Sequence, residues 1–291
     1  MSQQSPAPSD RFAAIDSFAG QVLPHSVASR ALPVSVGVLT GLHSPARGRS
    51  RGLVVIIPGF TGAKEDYADL LPLLAEQGWD AWAYSQRGQA DSAGPRGIGA
   101  YRLEDFAGDA TEVVRLLGDG QKVHLVGHSF GGLVARAVAI EAPELFRSLT
   151  LLCSGPRGWG DRAPEMQQAI SAGGSLGLWN FDNPEAVGRP DDELTLSQVR
   201  YRERASRTSD DNISSVAAIL RDEIDRTDDL LRTGLAVHVL HGELDDGWPI
   251  EWQRQMARRL GAHYGVIPGL GHTPQEEDPE ATAHALLEFW T

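Results

Sequence analysis

Short apolar runs alternate with helical patterns along most of this chain. Residues 53–57 are continuously apolar and are followed by Pro58 and Gly59, which is typical of a strand buried on both faces of a sheet. Apolar residues then recur at helical spacing from Tyr67 to Leu74. Further strands of this kind are predicted at residues 79–84, 122–126, 149–153, 237–240 and 264–267. The alternation predicts an α/β fold with a mostly parallel central sheet and helices on both faces.

The N-terminal part carries weaker signals. Residues 1–20 are expected to form a loose tail, because the first dozen are mostly polar. Val34, Val36 and Val38 then alternate with smaller or polar residues, and this period of two predicts a half-buried strand.

The regular pattern is interrupted between residues 155 and 230. This stretch is rich in Gly, Pro, Arg and Asp and contains no predicted buried strand. Because strands resume after it, we interpret residues 155–230 as an insertion rather than a separate domain. Ligands of such folds bind at the carboxyl ends of the strands, so a mainly helical cap over those ends is expected. The predicted core comprises residues 21–154 and 231–291.

The charge of the chain limits its partners. It has 39 acidic and 26 basic residues among 291, a formal net charge of −13. Nucleic acids and anionic membranes attract basic patches, so neither is expected as a partner. The N-terminus has no basic segment followed by an apolar one, and no apolar run approaches the roughly 20 residues of a membrane span. We expect a cytoplasmic protein that acts on a small molecule with water; its oligomeric state stays open.

The pattern Gly-x-Ser-x-Gly, which can place a serine nucleophile on a sharp turn, occurs twice. Around Ser129 it lies between a predicted buried strand and a predicted helix, the context that the turn requires. Gly127 and Gly131 would leave room in this turn where a Cβ atom would clash. Around Ser175 no strand precedes the pattern, and its glycines are typical of a flexible loop. Ser129 is therefore the predicted nucleophile.

A serine hydroxyl needs a general base, usually a histidine that is oriented by a carboxylate. His272 follows the last predicted strand in a glycine-rich loop, at the strand end where ligands bind. Asp245 follows the preceding strand, which gives the order Ser, Asp, His along the chain. Asp246 and Glu243 stand beside it as alternatives. We predict Ser129, Asp245 and His272 as the catalytic residues.

The negative oxygen of a tetrahedral intermediate needs two backbone N–H donors. One is expected from Phe130, directly after the predicted nucleophile. The other is expected from the loop after the first buried strand, where Phe60 is the candidate. Gly59 would permit a close approach of this backbone. The N–H groups of Phe60 and Phe130 form the predicted oxyanion hole.

Five segments together resemble the α/β-hydrolase fold family. They are residues 58–62, 85–92, 127–132, 241–245 and 269–274. The resemblance implies the α/β-hydrolase fold, a cap in the insertion and a structural role for the turn that contains Arg87. The chain departs from the family pattern at Pro58, where the family usually has His, and at Ala90, where it usually has Gly.

The predicted chemistry is the hydrolysis of a small to medium carboxylic ester through an acyl-enzyme. Candidates for lining the substrate pocket are five residues of the insertion, Trp159, Met166, Leu178, Trp179 and Phe181. An equally good explanation is that they form a small apolar core of the insertion itself. Members of the α/β-hydrolase fold family use the same three residue types to hydrolyse lactones, thioesters and carbon–carbon bonds and to form peracids. These reactions stay open as alternatives, as does a ligand receptor without catalytic activity.

No cofactor and no metal are expected. In adjacent acidic pairs such as Asp191 and Asp192 the two side chains diverge, and no histidine cluster accompanies them. Cys153 is the only cysteine, ends an apolar run and is predicted to be a buried small hydrophobic residue.

Overall fold

One eight-stranded sheet organises the structure, a computed structural model that describes residues 11–159 and 164–290. The strands are β1 (Ala28–Val34), β2 (Gly37–Ser44), β3 (Gly52–Ile57), β4 (Trp79–Tyr84), β5 (Val123–His128), β6 (Phe146–Leu152), β7 (Val237–Gly242) and β8 (His263–Ile267). The helices are α1 (Leu70–Glu76), α2 (Leu103–Gly118), α3 (Phe130–Glu141), α4 (Pro164–Asp182), α5 (Leu196–Arg207), α6 (Asp210–Asp222), α7 (Thr227–Arg232), α8 (Ile250–Leu260), α9 (Pro274–Glu277) and α10 (Pro279–Trp290).

The spatial order of the strands is β1-β2-β4-β3-β5-β6-β7-β8. Strands β3 to β8 pair in parallel, and β1 and β2 are antiparallel at one edge. This confirms the predicted α/β fold with a mostly parallel sheet. Because parallel strands end at the same edge, the loops after β3, β5, β7 and β8 lie close to one another.

The central strands are buried on both faces. On β3, Val55 and Ile57 belong to a core cluster with residues of α2, α3 and α8, whereas Val54 and Ile56 belong to a second cluster with α1 and α10. All four side chains are 0% exposed, and each such burial stabilises the fold by roughly 1.5–3 kcal/mol. A strand covered on both faces is continuously apolar, which is the pattern seen at residues 53–57.

The half-buried strand predicted from Val34 to Val38 is a hairpin instead. β1 ends at Val34, the chain turns over two residues, and β2 begins at Gly37, which pairs with Val34. Gly37 has a φ of 130°, and a Cβ atom there would lie 2.8 Å from the Cβ of Ala93. Valines continue at every second position through this turn, so the period of two could not reveal it.

Part of the predicted loose tail is packed. Residues 1–10 lie outside the described residues, but Ala14 forms a bridge with Arg30 on β1, and Phe12 contacts Trp82 edge-on. Phe18 is 4% exposed. Phe12, Ala14 and Phe18 therefore contact the core, although most of residues 11–20 are exposed. The loose tail stays a prediction.

Helices α4 to α6 lie between β6 and β7, in the stretch where the sequence predicts a mainly helical insertion. Residues 160–163 of that stretch lie outside the described residues. Ile170, Leu178 and Ile213 form a small apolar cluster between α4 and α6. Within the two described ranges, no helix is both long and apolar enough to cross a membrane.

A buried arginine ties both ends of the insertion to the core. Arg136 on α3 is 1% exposed, and its guanidinium donates to the carbonyl oxygen of Pro156, near the start of the insertion. It also donates to a carboxylate oxygen of Glu223, near the end, at 3.0 Å. A buried charge is tolerated only when it is paired and hydrogen-bonded, so the two ends are held at fixed points of the core.

Candidate active site

Ser129 occupies a sharp turn between β5 and α3. Its φ of 54° and ψ of −120° are strained for a residue with a Cβ atom. A Cβ atom on Gly127 would lie 2.4 Å from the carbonyl oxygen of Gly131, and one on Gly131 would lie 2.3 Å from that of Ile57. Both glycines are required by this packing, for the steric reason that the sequence suggested.

The structure brings the three predicted catalytic side chains together. His272 Nε2 lies 3.0 Å from Ser129 Oγ, and His272 Nδ1 lies 2.6 Å from Asp245 Oδ1. These contacts join residues that are 143 and 27 positions apart in the sequence. They form a hydrogen-bonded chain that can move a proton from the serine hydroxyl to the imidazole.

The carboxylate of Asp245 is buried and fully engaged. It accepts hydrogen bonds from the N–H of Gly247 at 2.8 Å and from Gln253 Nε2 at 2.7 Å, besides that from His272. Burial acts to raise the pKa of Asp245, but the hydrogen bonds from His272, Gln253 and Gly247 outweigh it and lower the pKa. Asp245 therefore stays ionised beside the imidazole.

The alternative acids are placed differently. Asp246 is exposed and, among the described residues, has no hydrogen bond to His272. Glu243 is exposed as well, and its carboxylate accepts from the N–H of Gly269 at 2.9 Å. The geometry therefore favours Asp245 as the partner of His272.

Three supporting residues were not recognised from the sequence. Gln253 on α8 orients Asp245, as described above. His128 Nε2 lies 2.8 Å from the carbonyl oxygen of His272. Burial, together with the nearby His272, lowers the pKa of His128 to about 4, so the neutral ring donates its Nε2–H to that carbonyl. A Cβ atom on Gly247 would lie 2.0 Å from His272 Cε1, so the histidine ring needs a glycine there. Only His128 had a local signal, its position directly before Ser129.

The two predicted oxyanion donors lie in backbone that borders Ser129. A Cβ atom on Gly59 would lie 3.1 Å from the Cβ of Ser129, so the loop that carries Phe60 passes directly beside the serine. Phe130 is the first residue of α3 and follows Ser129 in the chain. Within the described part of the chain, the N–H groups of Phe60 and Phe130 have no hydrogen-bond acceptor. Their role as an oxyanion hole stays a prediction.

A cavity of about 290 Å³ opens beside Ser129 and His272. Its apolar lining includes Phe60, Trp159, Met166, Leu178, Ala217, Leu220 and Trp248. Of the five predicted pocket residues, Trp159, Met166 and Leu178 line this cavity. Trp179 is 7% exposed and lines a neighbouring cavity, and Phe181 is 46% exposed on the surface. Neither residue lines the cavity beside Ser129, and the pocket role expected for them stays a prediction.

The far wall of the cavity is charged. Arg204 on α5 donates to a carboxylate oxygen of Asp66. Glu276, on the short helix α9 that follows His272, accepts from Tyr201 at 2.5 Å and from Arg200 at 3.3 Å. Burial, followed by the negative charge of Asp66, raises the pKa of Glu276 to about 7. These five residues form a carboxylate–arginine cluster that joins α5 of the insertion to the core beside the predicted base.

The second Gly-x-Ser-x-Gly pattern lies in a kinked helix. The predicted flexible loop is wrong, because Ser175 is part of α4, which continues across a break at Gly174, where φ is 59°. The N–H of Ser175 donates to Asp210 Oδ1 at 2.8 Å. Asp210 therefore satisfies a backbone donor that the break leaves open. In the described structure, Ser175 has no hydrogen bond to a histidine.

Two groups of side chains place potential metal ligand atoms within 4.8 Å of one another. One comprises His128, Cys153 and His272, and the other comprises Asp245, Asp246 and His272. Both need His272, which is already hydrogen-bonded to Ser129 and Asp245. Burial and the charge of Asp245 raise the pKa of the Cys153 thiol, which disfavours the thiolate that binds metals. The expectation of a metal-free site stays a prediction.

The fold and this arrangement of side chains agree with a family comparison. A family model described as alpha/beta hydrolase fold matches residues 52–236. The chain belongs to the α/β-hydrolase fold family, a family of enzymes.

Curated relatives cover most of the chain at low identity. The putative carbamate hydrolase RutD of Caulobacter vibrioides is 25% identical over 278 residues, which span 88% of this chain and 97% of that protein. A non-heme haloperoxidase of Rhodococcus erythropolis is 28% identical over 256 residues, 79% of this chain and 89% of that protein. The solved enol-lactonase from Burkholderia xenovorans superposes with a TM-score of 0.72 at 18% identity, covering 89% and 99% of the two chains. The structural likeness at this identity shows the fold alone.

Proposed function

We propose that this protein is a serine hydrolase that cleaves a small to medium carboxylic ester through an acyl-enzyme intermediate. One observation carries the proposal: Ser129, His272 and Asp245 form a hydrogen-bonded chain beside a cavity of about 290 Å³. The reaction needs the substrate and water and no cofactor or metal.

In the acylation step, Ser129 Oγ attacks the carbonyl carbon of the ester while His272 Nε2 takes the hydroxyl proton. Asp245 accepts the Nδ1–H of His272 and stabilises the imidazolium that forms. The N–H groups of Phe60 and Phe130 donate to the negative oxygen of the tetrahedral intermediate. The intermediate collapses when His272 protonates the leaving alcohol, which leaves the acyl group on Ser129.

Deacylation repeats these steps with water in place of the serine. His272 takes a proton from a water molecule, whose oxygen attacks the acyl carbon. The second tetrahedral intermediate collapses, the proton returns to Ser129 Oγ, and the carboxylic acid leaves. The same base and the same oxyanion donors serve both halves of the reaction.

The cavity supports a substrate of modest size. Its volume lies near the lower end of the roughly 300–1,000 Å³ of small-molecule sites. Trp159, Met166 and Leu178 give it an apolar side, on which an acyl chain would be removed from water. A partly apolar ester fits this lining better than a highly charged one.

Hydrolysis of a carbamate is the second candidate, favoured by the similarity to a putative carbamate hydrolase. A carbamate carbonyl would be attacked by Ser129 in the same way, and an amine or alcohol would leave after protonation by His272. The same nucleophile would serve the hydrolysis of lactones, of thioesters and of carbon–carbon bonds in diketones, and the formation of peracids.

The nucleophile can be tested with two serine variants. We expect Ser129→Ala to abolish hydrolysis of p-nitrophenyl butyrate and labelling by a fluorophosphonate probe. Ser175→Ala should leave both nearly intact, because in the described structure Ser175 has no hydrogen bond to a histidine. It serves as the matched control. Labelling that survives in the first variant and disappears in the second would refute the assignment.

The bond that is cleaved can be tested with a panel. Initial rates would be measured for esters, carbamates, lactones, thioesters and diketones of similar size, with hydrogen peroxide as an alternative acceptor in place of water. We expect the highest kcat/KM for an ester. A higher kcat/KM for the carbamates would select the second candidate, and tight binding without turnover would indicate a receptor.

A further inference from the structure

Gln89 is a buried side chain that connects two loops of the site. It belongs to the turn after β4 and is 1% exposed. Its Nε2 donates to the carbonyl oxygen of Gly59 at 2.7 Å and lies 3.4 Å from that of Phe60. Its Oε1 accepts from the N–H of Gln86 at 2.9 Å. Because the nitrogen and the oxygen of the amide are both engaged, the side chain is fixed in one orientation.

The main contact of Gln89 is to the peptide unit that holds the predicted oxyanion donor. The carbonyl of Gly59 and the N–H of Phe60 belong to the same planar trans peptide and point in opposite directions. A donor that holds the carbonyl on one side therefore turns the N–H to the other side. In the described structure this N–H has no acceptor, and the loop lies directly beside Ser129.

The contact also changes the strength of the donor. A hydrogen bond to the carbonyl oxygen of an amide polarises the amide and makes its N–H a better donor, an effect that grows in a buried, weakly screening environment. Glycine at position 59 has no side chain to restrict rotation of this peptide. Its orientation therefore depends on hydrogen bonds from outside the loop.

We propose that Gln89 is a positioning residue, which sets the orientation of the Gly59–Phe60 peptide and thereby aims the Phe60 N–H at the oxyanion. The inference rests on the proposed function, because an oxyanion forms only if Ser129 attacks a carbonyl. Gln89 touches neither the serine nor the histidine and acts through the peptide alone.

A neighbouring glutamine provides a matched control. Gln86 is also 1% exposed, and its Nε2 donates to the carbonyl oxygen of Pro58 at 3.0 Å. That carbonyl belongs to the peptide that carries the N–H of Gly59, one unit before the predicted donor. Loss of the Gln86 amide removes a buried hydrogen bond of the same kind without releasing the Phe60 peptide.

The variants would be Gln89→Met, Gln89→Glu and Gln86→Met. Gln89→Glu keeps an oxygen that accepts from the Gln86 N–H but loses the N–H that donates to the Gly59 carbonyl. It therefore separates the proposed orientation of the Gly59–Phe60 peptide from stabilisation of the turn after β4. Thermal unfolding of each variant would show that it is folded. The readouts would be kcat and KM for p-nitrophenyl butyrate, and Kd for two inhibitors.

The inhibitors separate the two states of the reaction. A propyl trifluoromethyl ketone forms a tetrahedral adduct with the serine and therefore reports on the oxyanion, whereas the matching methyl ketone reports on ground-state binding. We expect both Gln89 variants to lower kcat roughly tenfold to a hundredfold, less than the loss when a donor is deleted outright. KM and the methyl ketone Kd should stay within about twofold, and the trifluoromethyl ketone should weaken by the same factor as kcat. Gln86→Met should keep kcat within about threefold.

Three results would count against the proposal. A kcat of the Gln89 variants close to that of the wild type would overturn it. An equal loss of methyl ketone affinity in the Gln89 variants, or an equal loss of kcat in Gln86→Met, would overturn it as well. A wild-type protein without turnover or fluorophosphonate labelling would refute the proposed function itself, and the role of Gln89 with it. The wild-type measurements thus distinguish failure of the function from failure of the positioning role.

Discussion

The carboxylate of Asp245 shows how single side chains set the chemistry of this site. Burial alone would favour its protonated form, yet three donors surround it and lower its pKa. Two of these donors, His272 and Gln253, come from other elements of the fold. An ionised Asp245 keeps the imidazole in the tautomer whose Nε2 is free to accept the serine proton.

The roles of the two neighbouring aspartates can be separated by substitution. We expect Asp245→Asn to lower kcat on the order of a thousandfold to ten-thousandfold, because an amide favours the wrong histidine tautomer. Asp246→Asn should stay within about threefold of wild type, since an exposed carboxylate contributes little. Steady-state kinetics of both variants with p-nitrophenyl butyrate would measure this, and the reverse ranking would transfer the role to Asp246.

Sequence patterns indicated the three side chains that the structure brings together, but not the side chains that support them. Ser129, Asp245 and His272 each follow a strand of the parallel part of the sheet, β5, β7 and β8, and the shared edge of a parallel sheet brings such positions together. Gln89 and Gln253 could not be found in the same way. Gln89 lies in a turn that resembles a family segment, but no pattern assigns a hydrogen-bond partner to its side chain or to that of Gln253. The role of each depends on one contact that only the folded backbone creates.

At the scale of elements, predictions from periodicity succeeded where packing is uniform and failed where the chain turns. The strand at residues 53–57 and its parallel neighbours are buried on both faces, so their apolar runs are unambiguous. The β1–β2 hairpin and the kink in α4 depend on the φ values of Gly37 and Gly174. A glycine in a sequence does not state which φ it adopts, so neither turn was predicted.

The contact between α5 and the core contains the carboxyl group of Glu276, whose ionisation should make the free energy of unfolding depend on pH. Burial, followed by Asp66, raises the pKa of Glu276 to about 7, well above the roughly 4.3 of an unfolded chain. The folded protein therefore binds this proton more tightly than the unfolded chain does. The stabilisation is complete below pH of about 4 and is lost as the pH rises through about 7.

A neutral replacement should remove this dependence. We expect Glu276→Gln to raise the melting temperature at pH 8 relative to wild type and to leave it nearly unchanged at a pH of about 4. Charged and titratable neighbours of this group are Asp66, Arg200, Tyr201 and Arg204. Glu280→Gln, on the exposed side of α10, is the control. A pH-independent difference between Glu276→Gln and wild type would contradict the prediction.

At the scale of the whole molecule, the core and the predicted insertion contribute different parts of the candidate site. The strand ends of the core hold the serine, the histidine and the carboxylate, whereas α4 and α6 supply Met166, Leu178 and Ala217 to the cavity. The predicted fold class is confirmed, because it follows from the alternation of helices with strands whose central members are buried on both faces. Of the residues expected to line the pocket, Trp159, Met166 and Leu178 border the cavity, whereas Trp179 and Phe181 do not. The sequence could not separate these two sets, because a helical pattern does not state which side of a helix faces the serine.

The absence of a metal requirement is a prediction about the whole protein. Activity should be unchanged after prolonged dialysis against EDTA, because Ser129 and His272 generate the nucleophile without a Lewis acid. Hydrolysis of p-nitrophenyl butyrate before and after dialysis would measure this, with a zinc-dependent hydrolase treated in parallel. A loss that a divalent ion restores would point to one of the two groups of possible ligands that share His272.

The attachment of the predicted insertion through Arg136 limits how the substrate range could change when an insertion from another protein replaces this one. A foreign insertion grafted onto this core would leave a guanidinium without acceptors unless it brought a carbonyl and a carboxylate to the two junctions now formed by Pro156 and Glu223. Uncompensated buried charges are strongly destabilising. The core therefore restricts which insertions it can accept, and a chimeric library should yield folded members chiefly when position 136 is exchanged together with both junctions.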